Sequence, residues 1–275
     1  MKLNVFLMAS VVMLCSVACS DDEKTPAVAD IAGIYDGYTL AGCSYFQNSF
    51  TANETVIVSE NTDGTADIKF SSDSWGDISV SNAQMTRNGS IYTLVGSGQA
   101  KMGMGGNIFS YDCTCTAVIS SKENSKIQFK VAGVMGGLVI DFITGEPPAD
   151  LLIAGTYEGY TDADCGYFSD SFTDNESLEI KPNGDGTIAV EFESATWGTF
   201  NVAKATVTKN DDEYTFTGEG NVSMGMEGNI KEYAFTMTGT INAAKDTYSI
   251  MFNVPAVMGG LTVTLLPGTA PSETK

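Results

Sequence analysis

The sequence contains one long internal repeat, which constrains the fold more than any other feature. A shift of 122 positions aligns residues 31–35 with residues 153–157. The same repeat pairs Cys43 with Cys165, Trp75 with Trp197, Met102 with Met224 and, after a one-residue slip, Met135 with Met258. Repeats of solenoid proteins are only about 20–50 residues long. Two copies of this length therefore indicate two tandem domains of one fold.

Within each copy, apolar residues alternate with polar or small ones. Ile188, Val190 and Phe192 are typical, and this period of two indicates strands with one buried face. The residues at 183–186, Asn-Gly-Asp-Gly, tolerate the positive φ angles of a tight hairpin. We expect eight strands per copy and no helix. In the second copy they begin near Tyr157, Leu178, Ile188, Phe200, Tyr214, Tyr233, Tyr248 and Leu261.

Eight consecutive hairpin-linked strands are best closed into an up-and-down barrel, which leaves no exposed sheet edge. The predicted fold is therefore all-β, with two tandem eight-stranded antiparallel up-and-down barrels; a β-sandwich is the alternative. We place barrel 1 at residues 30–147 and barrel 2 at 151–268, followed by a polar tail at 269–275. Pro147 and Pro148 favour a short stiff linker at 148–150. An eight-stranded barrel is either filled by side chains or holds one small ligand.

The composition excludes several classes of function. With 14 basic and 34 acidic residues the net charge is −20, which argues against nucleic-acid binding. There is no histidine, so the usual zinc sites and the catalytic triads that depend on histidine are excluded. We therefore expect no enzyme activity, no catalytic residue, no cofactor and no metal site.

The first residues predict export and a lipid anchor. Lys2 precedes an apolar run over residues 3–14 that is too short to span a bilayer, and small residues then lead to Cys19. Residues 1–19 resemble a lipoprotein signal peptide with a lipobox ending at Cys19, although Ser16 stands where leucine is usual. Ordinary cleavage that leaves a free thiol is the alternative. Residues 20–29 form an acidic tether similar to the surface-export tag of Bacteroidetes lipoproteins. We expect an outer-membrane, lipid-anchored, cell-surface protein whose partner is outer-membrane lipid.

Both copies resemble the calycin-like β-barrel lipoproteins of Bacteroidetes, which are relatives of the lipocalins. The residues that carry this resemblance lie at 155–159, 183–187, 214–218, 238–241 and 258–261. The segment Gly155-Thr156-Tyr157 is similar to the Gly-x-Trp opening of lipocalins, with tyrosine in place of tryptophan. Lipocalins usually pair that ring with an arginine late in the barrel, whereas the one arginine here is Arg87. The resemblance implies a barrel that binds small molecules.

Four cysteines remain beyond the signal segment. Cys113 and Cys115 lie two apart on a strand and correspond to Phe235 and Met237, so buried thiols are favoured over a metal site. A bridge between the repeat-equivalent Cys43 and Cys165 is open, as is a bridge from Cys43 to either of the other two.

Three further motifs have a plain and a functional interpretation. The acidic loop of the second copy favours a solvated face over a Ca²⁺ site. It contains Asp162, Asp164, Asp170, Asp174 and Glu176. The Met-x-Met pairs favour filling of the barrel ends over Cu(I) binding, and the repeated tryptophans favour packing over a sugar platform.

The predicted function is a non-enzymatic, surface-anchored lipoprotein that binds a small, largely apolar ligand in one or both barrel mouths. The candidate ligand-binding residues are a predicted inward set of tyrosines: Tyr35, Tyr38, Tyr92, Tyr111, Tyr157, Tyr160, Tyr214 and Tyr233. The alternative is a structural or interaction module with filled barrels that presents the loops at 43–50 and 165–172 to a glycan or partner protein.

Overall fold

A computed structural model describes residues 27–104, 106–225 and 229–272. The first copy begins with a single 3₁₀ turn, Val28–Asp30, followed by eight strands. These are β1 (Gly33–Gly42), β2 (Ser49–Glu60), β3 (Ala66–Ser72), β4 (Gly76–Asn88), β5 (Ile91–Met104), β6 (Asn107–Ile119), β7 (Ser125–Val131) and β8 (Leu138–Thr144).

The second copy begins with a short helix, α1 (Ala149–Ile153), where the sequence predicts only a linker. Eight strands follow it, as in the first copy. These are β9 (Gly155–Asp164), β10 (Ser171–Pro182), β11 (Thr187–Ser194), β12 (Gly198–Asn210), β13 (Glu213–Met224), β14 (Lys231–Asn242), β15 (Tyr248–Val254) and β16 (Leu261–Pro267).

Each set of eight strands closes into an antiparallel barrel. Consecutive strands pair as hairpins, and β1 closes barrel 1 against β8 in a register from Gly37 opposite Thr144 to Gly42 opposite Val139. In barrel 2, β9 closes against β16 in the same way. The predicted all-β fold of two eight-stranded up-and-down barrels is confirmed, and the β-sandwich alternative is wrong.

The two ends of each barrel differ. The 3₁₀ turn covers one end of barrel 1, where Val28 is fully buried in the core, and α1 covers the same end of barrel 2 through the buried Ile153. We call this the plugged end. The folded unit thus includes Val28, which the sequence analysis assigned to the tether. The opposite end, which we call the mouth, carries the loops after β1, β3, β5 and β7 and their counterparts in barrel 2.

Side chains fill both interiors, because inward residues at every second position of each strand are large and apolar. In barrel 2, Phe200 and Phe252 have ring centroids 4.7 Å apart, and Phe192 lies 5.5 Å from Phe252. In barrel 1, Phe70 and Phe129 stack at 5.5 Å. Rings at these separations are in direct contact and leave no room for a ligand between them.

Candidate functional site

The eight tyrosines proposed as an inward ligand-binding set fall at three different places. Tyr38 and Tyr160 are outside the barrels, because each lies three residues after an inward tyrosine and an odd spacing along a strand reverses the face. Tyr38 packs against Phe50 with centroids 6.0 Å apart, and Tyr160 packs against Phe172 at 6.1 Å. The prediction that these two point inward is therefore wrong.

Four of the tyrosines lie at the plugged ends. The buried hydroxyl of Tyr35 donates a hydrogen bond to the backbone carbonyl of Ile31. Tyr157 makes the equivalent bond to Ile153 at 2.6 Å. Tyr92 lies on the same end of barrel 1, and Tyr214 is buried in the core of barrel 2. These two hydroxyl bonds hold the 3₁₀ turn and α1, which we call the plugs, against their barrels.

Tyr111 and Tyr233 are the remaining pair, and both lie toward the mouths. Each is partly buried and packs against the core of its own barrel. Tyr111 also lines an accessible cleft at the mouth of barrel 1.

This cleft, which we call the mouth cleft, has a volume of about 780 Å³ and opens at the mouth of barrel 1. Its walls are the β3–β4 hairpin, the β5–β6 hairpin and the turn after β7. Apolar side chains line it, with Ile108, Phe109 and Met135 exposed at its rim. The apolar lining residues are Trp75, Met102, Ile108, Phe109, Tyr111, Val134, Met135 and Leu138. Asp73, Asp77, Lys101 and Asn107 supply polar groups. A few polar groups around an apolar surface of this size are typical of small-molecule sites.

Hydrogen bonds fix the position of Trp75 in the cleft wall. Its indole Nε1 donates to Thr39 Oγ1 at 3.1 Å, and its backbone N–H donates to Ser72 Oγ at 3.2 Å. Phe46 stacks on the ring with centroids 6.1 Å apart. The same arrangement recurs around Trp197 in barrel 2. The favoured interpretation of the repeated tryptophans, packing at a barrel end, agrees with these contacts.

A buried glutamate lies next to each tryptophan. The Ser72 hydroxyl donates to Glu54 Oε1 at 2.7 Å, and Ser194 donates to Glu176 Oε1 at 2.7 Å. Burial raises the pKa of both carboxyls, and the serine hydrogen bonds oppose this shift only in part. The sequence analysis placed Glu176 in a solvated acidic loop, which is wrong for this buried residue. It did not pair Glu176 with Glu54, although a glutamate recurs 122 positions apart in equivalent strands.

The two barrels differ in the size of the core side chains below their mouths. Barrel 2 carries Phe235 toward its mouth, with its ring 5.3 Å from Phe200 and 5.6 Å from Phe252. In barrel 1 the repeat-equivalent positions of Phe200 and Phe235 hold Ile78 and Cys113. Both are buried in the core of barrel 1 and neither lines the mouth cleft, so the core below this mouth is built from smaller side chains than in barrel 2.

The four cysteines of the described residues are free thiols. Cys113 and Cys115 are buried as expected, and burial raises the pKa of Cys115 to about 12. A thiol in this state is a packing group and a poor nucleophile. Within the described ranges, no three histidine, cysteine or acidic side chains are grouped as a metal site.

Comparison with known proteins identifies the family. The model of the calycin-like beta-barrel domain matches residues 31–142 and again residues 153–265. The chain belongs to this family. Both matches coincide with the two barrels, and they confirm the resemblance drawn from the sequence.

Two solved structures resemble this member of the calycin-like family. One, named a "putative outer membrane protein" of Bacteroides fragilis, is 25% identical with a TM-score of 0.66, covering 89% of this chain and 100% of its own. The other, a protein of unknown function from Nostoc punctiforme, is 12% identical with a TM-score of 0.24, covers 87% of this chain and 97% of its own, and supports no argument. No curated protein matches the sequence.

Three observations concern the membrane. None of the helices in the described part of the chain is both long and apolar enough to cross a bilayer. The predicted signal peptide, Cys19 and most of the acidic tether lie outside the described residues. The Bacteroides fragilis neighbour gives coarse support for a location in the cell envelope.

Proposed function

We propose that this protein is a non-enzymatic, lipid-anchored envelope protein that binds a small, largely apolar ligand in the mouth cleft of barrel 1. The observation that carries the proposal is the cleft itself, about 780 Å³ of space lined by Trp75, Tyr111 and Leu138 and bordered by polar groups. Ligand sites of this kind are usually between 300 and 1,000 Å³. The anchor at Cys19 is supported by the lipobox-like segment, and the envelope location by the "putative outer membrane protein" that resembles this chain.

The unequal packing of the two copies limits the proposal to barrel 1. Trp75 is partly exposed at the cleft, whereas Trp197 is buried under the equivalent loop. Below the mouth, barrel 2 carries Phe200 and Phe235 where barrel 1 carries the smaller Ile78 and Cys113. We therefore place the ligand at the mouth of barrel 1.

Native mass spectrometry of the protein purified from its own host tests this proposal. We expect an adduct of one small molecule on the wild-type chain. A matched pair of variants locates it: Ser74→Trp places a large ring at the cleft, and Thr196→Trp places one at the equivalent position of barrel 2. The adduct should be lost in Ser74→Trp and kept in Thr196→Trp. Absence of any adduct, or retention in Ser74→Trp, would contradict the proposal.

A second function, presentation of mouth loops to a partner, is supported by a different observation. Tyr45 and Tyr167 occupy the same loop position in the two copies, and about four-fifths of each side chain is exposed (81% and 82%). A large aromatic ring exposed in this way contributes little to folding and much to binding. Replacing the loops at 43–50 and 165–172 by short glycine-serine turns should abolish capture of a partner if this function holds, and unchanged capture would contradict it.

A further inference from the structure

The turn between β15 and β16 holds a methionine in an unfavourable backbone conformation. The N–H of Gly260 donates to the carbonyl of Val257 at 2.9 Å, and φ is positive at both central residues, 50° at Met258 and 74° at Gly259. Turns of this type favour asparagine, aspartate or glycine at both central positions. Met258 is half exposed. Its side chain thus adds little to the core at a position where glycine would relieve strain.

The neighbouring loop carries an exposed tyrosine and is joined to this turn through its backbone. The N–H of Gly166 donates to the Met258 carbonyl at 3.1 Å, which ties the loop after β9 to the turn after β15. Tyr167, the next residue, is almost fully exposed, and Ile230 on the β13–β14 hairpin is two-thirds exposed at the same end. We call Tyr167, Ile230 and Met258 the apolar rim of barrel 2.

Three acidic side chains lie on β9 and on the loop that carries Tyr167, and none of them forms a hydrogen bond with a basic side chain among the described residues. Asp164 Oδ1 accepts the backbone N–H of Asp170 at 3.0 Å, across the loop that carries Tyr167. Asp162 Oδ1 is buried and has no hydrogen-bond partner among the described residues. Burial first, and then the negative charges of Asp164 and Asp170, raise the pKa of Asp162. These three carboxyls lie near one another, on β9 and on the loop that carries Tyr167.

Barrel 1 has the same apolar residues without the acids. Tyr45 and Met135 repeat Tyr167 and Met258, and Met135 also has a positive φ of 49°. The positions of the three aspartates, however, hold Leu40, Gly42 and Asn48. The whole second copy is also more acidic: residues 151–275 contain 18 acidic and 6 basic residues, against 11 and 6 in residues 31–148.

We propose that the apolar rim of barrel 2 docks a basic, amphipathic peptide segment of a partner. A flexible thioether and exposed Tyr and Ile side chains adapt to varied apolar groups, and adjacent carboxylates pair with lysine or arginine. The charge argues against two other occupants. A second copy of this chain brings a further −20, and an anionic lipid surface is also repelled. The rim and the mouth cleft are on different barrels, so each proposal can fail without the other.

Fluorescence anisotropy with two labelled helical peptides tests the docking. One peptide contains only leucine and lysine in an amphipathic order, and its control replaces each lysine by glutamate. We expect the full chain to bind the lysine peptide, with an affinity that falls as salt is raised, and not the glutamate peptide. The double variant Tyr167→Ser/Met258→Gly should lose about tenfold in affinity or more.

The matched controls keep the test independent of folding. Met258→Gly relieves a positive φ, so the thermal transition of the double variant should not fall. The variant Tyr45→Ser changes the equivalent tyrosine of barrel 1, where the acids are missing and the mouth cleft is left intact, and should bind within about twofold of wild type. The proposal would be overturned if wild type bound both peptides equally, or if the Tyr167→Ser/Met258→Gly variant bound the lysine peptide as tightly as wild type does. The proposal would also be overturned if wild type sedimented as a homodimer and the Tyr167→Ser/Met258→Gly variant as a monomer, because the rim would then bind a second copy of the chain.

Discussion

The hydroxyl of Tyr157 donates a 2.6 Å hydrogen bond to the backbone carbonyl of Ile153, the last residue of α1. Both residues are buried, and Tyr35 and Ile31 form the same pair in barrel 1. The plug is thus attached to the first strand of each barrel by a tyrosine at the position where lipocalins usually carry tryptophan. Burial, together with the nearby Tyr248, raises the pKa of Tyr157, in keeping with a neutral donor.

Removing this hydroxyl should loosen the plug of barrel 2. In Tyr157→Phe the buried Ile153 carbonyl loses the hydrogen bond from Tyr157, which costs about 1–3 kcal/mol of unfolding free energy. Tyr214→Phe is the control, since the Tyr214 ring is buried in the same core and its hydroxyl has no hydrogen bond within the described ranges. Urea denaturation of both variants checks the prediction. Equal losses in the two would show that the bond to Ile153 contributes nothing specific.

The buried glutamates should make stability depend on pH in a defined direction. The pKa of Glu54 and of Glu176 is raised in the folded state, whereas an unfolded glutamate has a pKa of about 4.3. Between these two values the folded chain holds more protons than the unfolded chain, so stability falls as pH rises through this window. Above the window both carboxyls are ionised and buried.

Replacing both glutamates by glutamine should therefore stabilise the chain at neutral pH. We expect Glu54→Gln/Glu176→Gln to exceed wild type by on the order of 1 kcal/mol at pH 7, because the serine hydrogen bonds are kept and the buried charge is removed. The advantage should vanish near pH 4, where wild type is also protonated. Melting curves across this range test it, with the exposed Glu193→Gln as a control that should shift little. A variant less stable than wild type at pH 7 would contradict it.

A glycine at the closure of each barrel should tolerate no side chain. A Cβ at Gly159 would lie 1.9 Å from the backbone carbonyl oxygen of Leu266 on β16, and one at Gly37 would lie 2.0 Å from that of Ile143. Gly159→Ala must push β9 away from β16, and we expect a loss of more than about 3 kcal/mol.

A second glycine controls for the general cost of adding a methyl group. Gly184 has a φ of 77° with open space around its Cβ position, so Gly184→Ala should cost only about 1–2 kcal/mol. Thermal melts of both variants separate the clash at the β9–β16 seam from the general cost of replacing a glycine by alanine. A Gly159→Ala protein as stable as the Gly184→Ala protein would show that the barrel seam is not tightly closed.

The sequence predicts the barrels well and the site poorly, for physical reasons. Strand alternation and the long repeat are local signals, and they suffice for the eight strands and for the buried Cys113 and Cys115. Which end of a barrel a side chain reaches depends on strand direction and register, so the sequence could not separate Tyr157, at a plug, from Tyr111, at a mouth. Tyr38 and Tyr160 could have been excluded by parity along the strand.

The mouth cleft depends on which residues the strand register brings together at one end of barrel 1. The sequence shows that Cys113 corresponds to Phe235, but it does not show that this change makes the core of barrel 1 smaller below its mouth. That conclusion requires knowing that Phe235 contacts Phe200 and Phe252 across the barrel interior. The α1 helix was missed because five residues are too few to show a helical period.

Ligand binding in the mouth cleft of barrel 1 is tested most directly with the two tryptophans as reporters, one for each barrel. Trp197→Phe leaves Trp75, at the mouth cleft, as the single tryptophan, and Trp75→Phe leaves the buried Trp197. The two variants are matched, because Trp197→Phe removes the indole hydrogen bond to Thr161 and Trp75→Phe removes the equivalent bond to Thr39. A bromine-substituted medium-chain alcohol, which quenches only on contact, is titrated into both. We predict saturable quenching of Trp75 and none of Trp197. Equal quenching of the two, or quenching of neither, would contradict a binding site that barrel 1 alone provides.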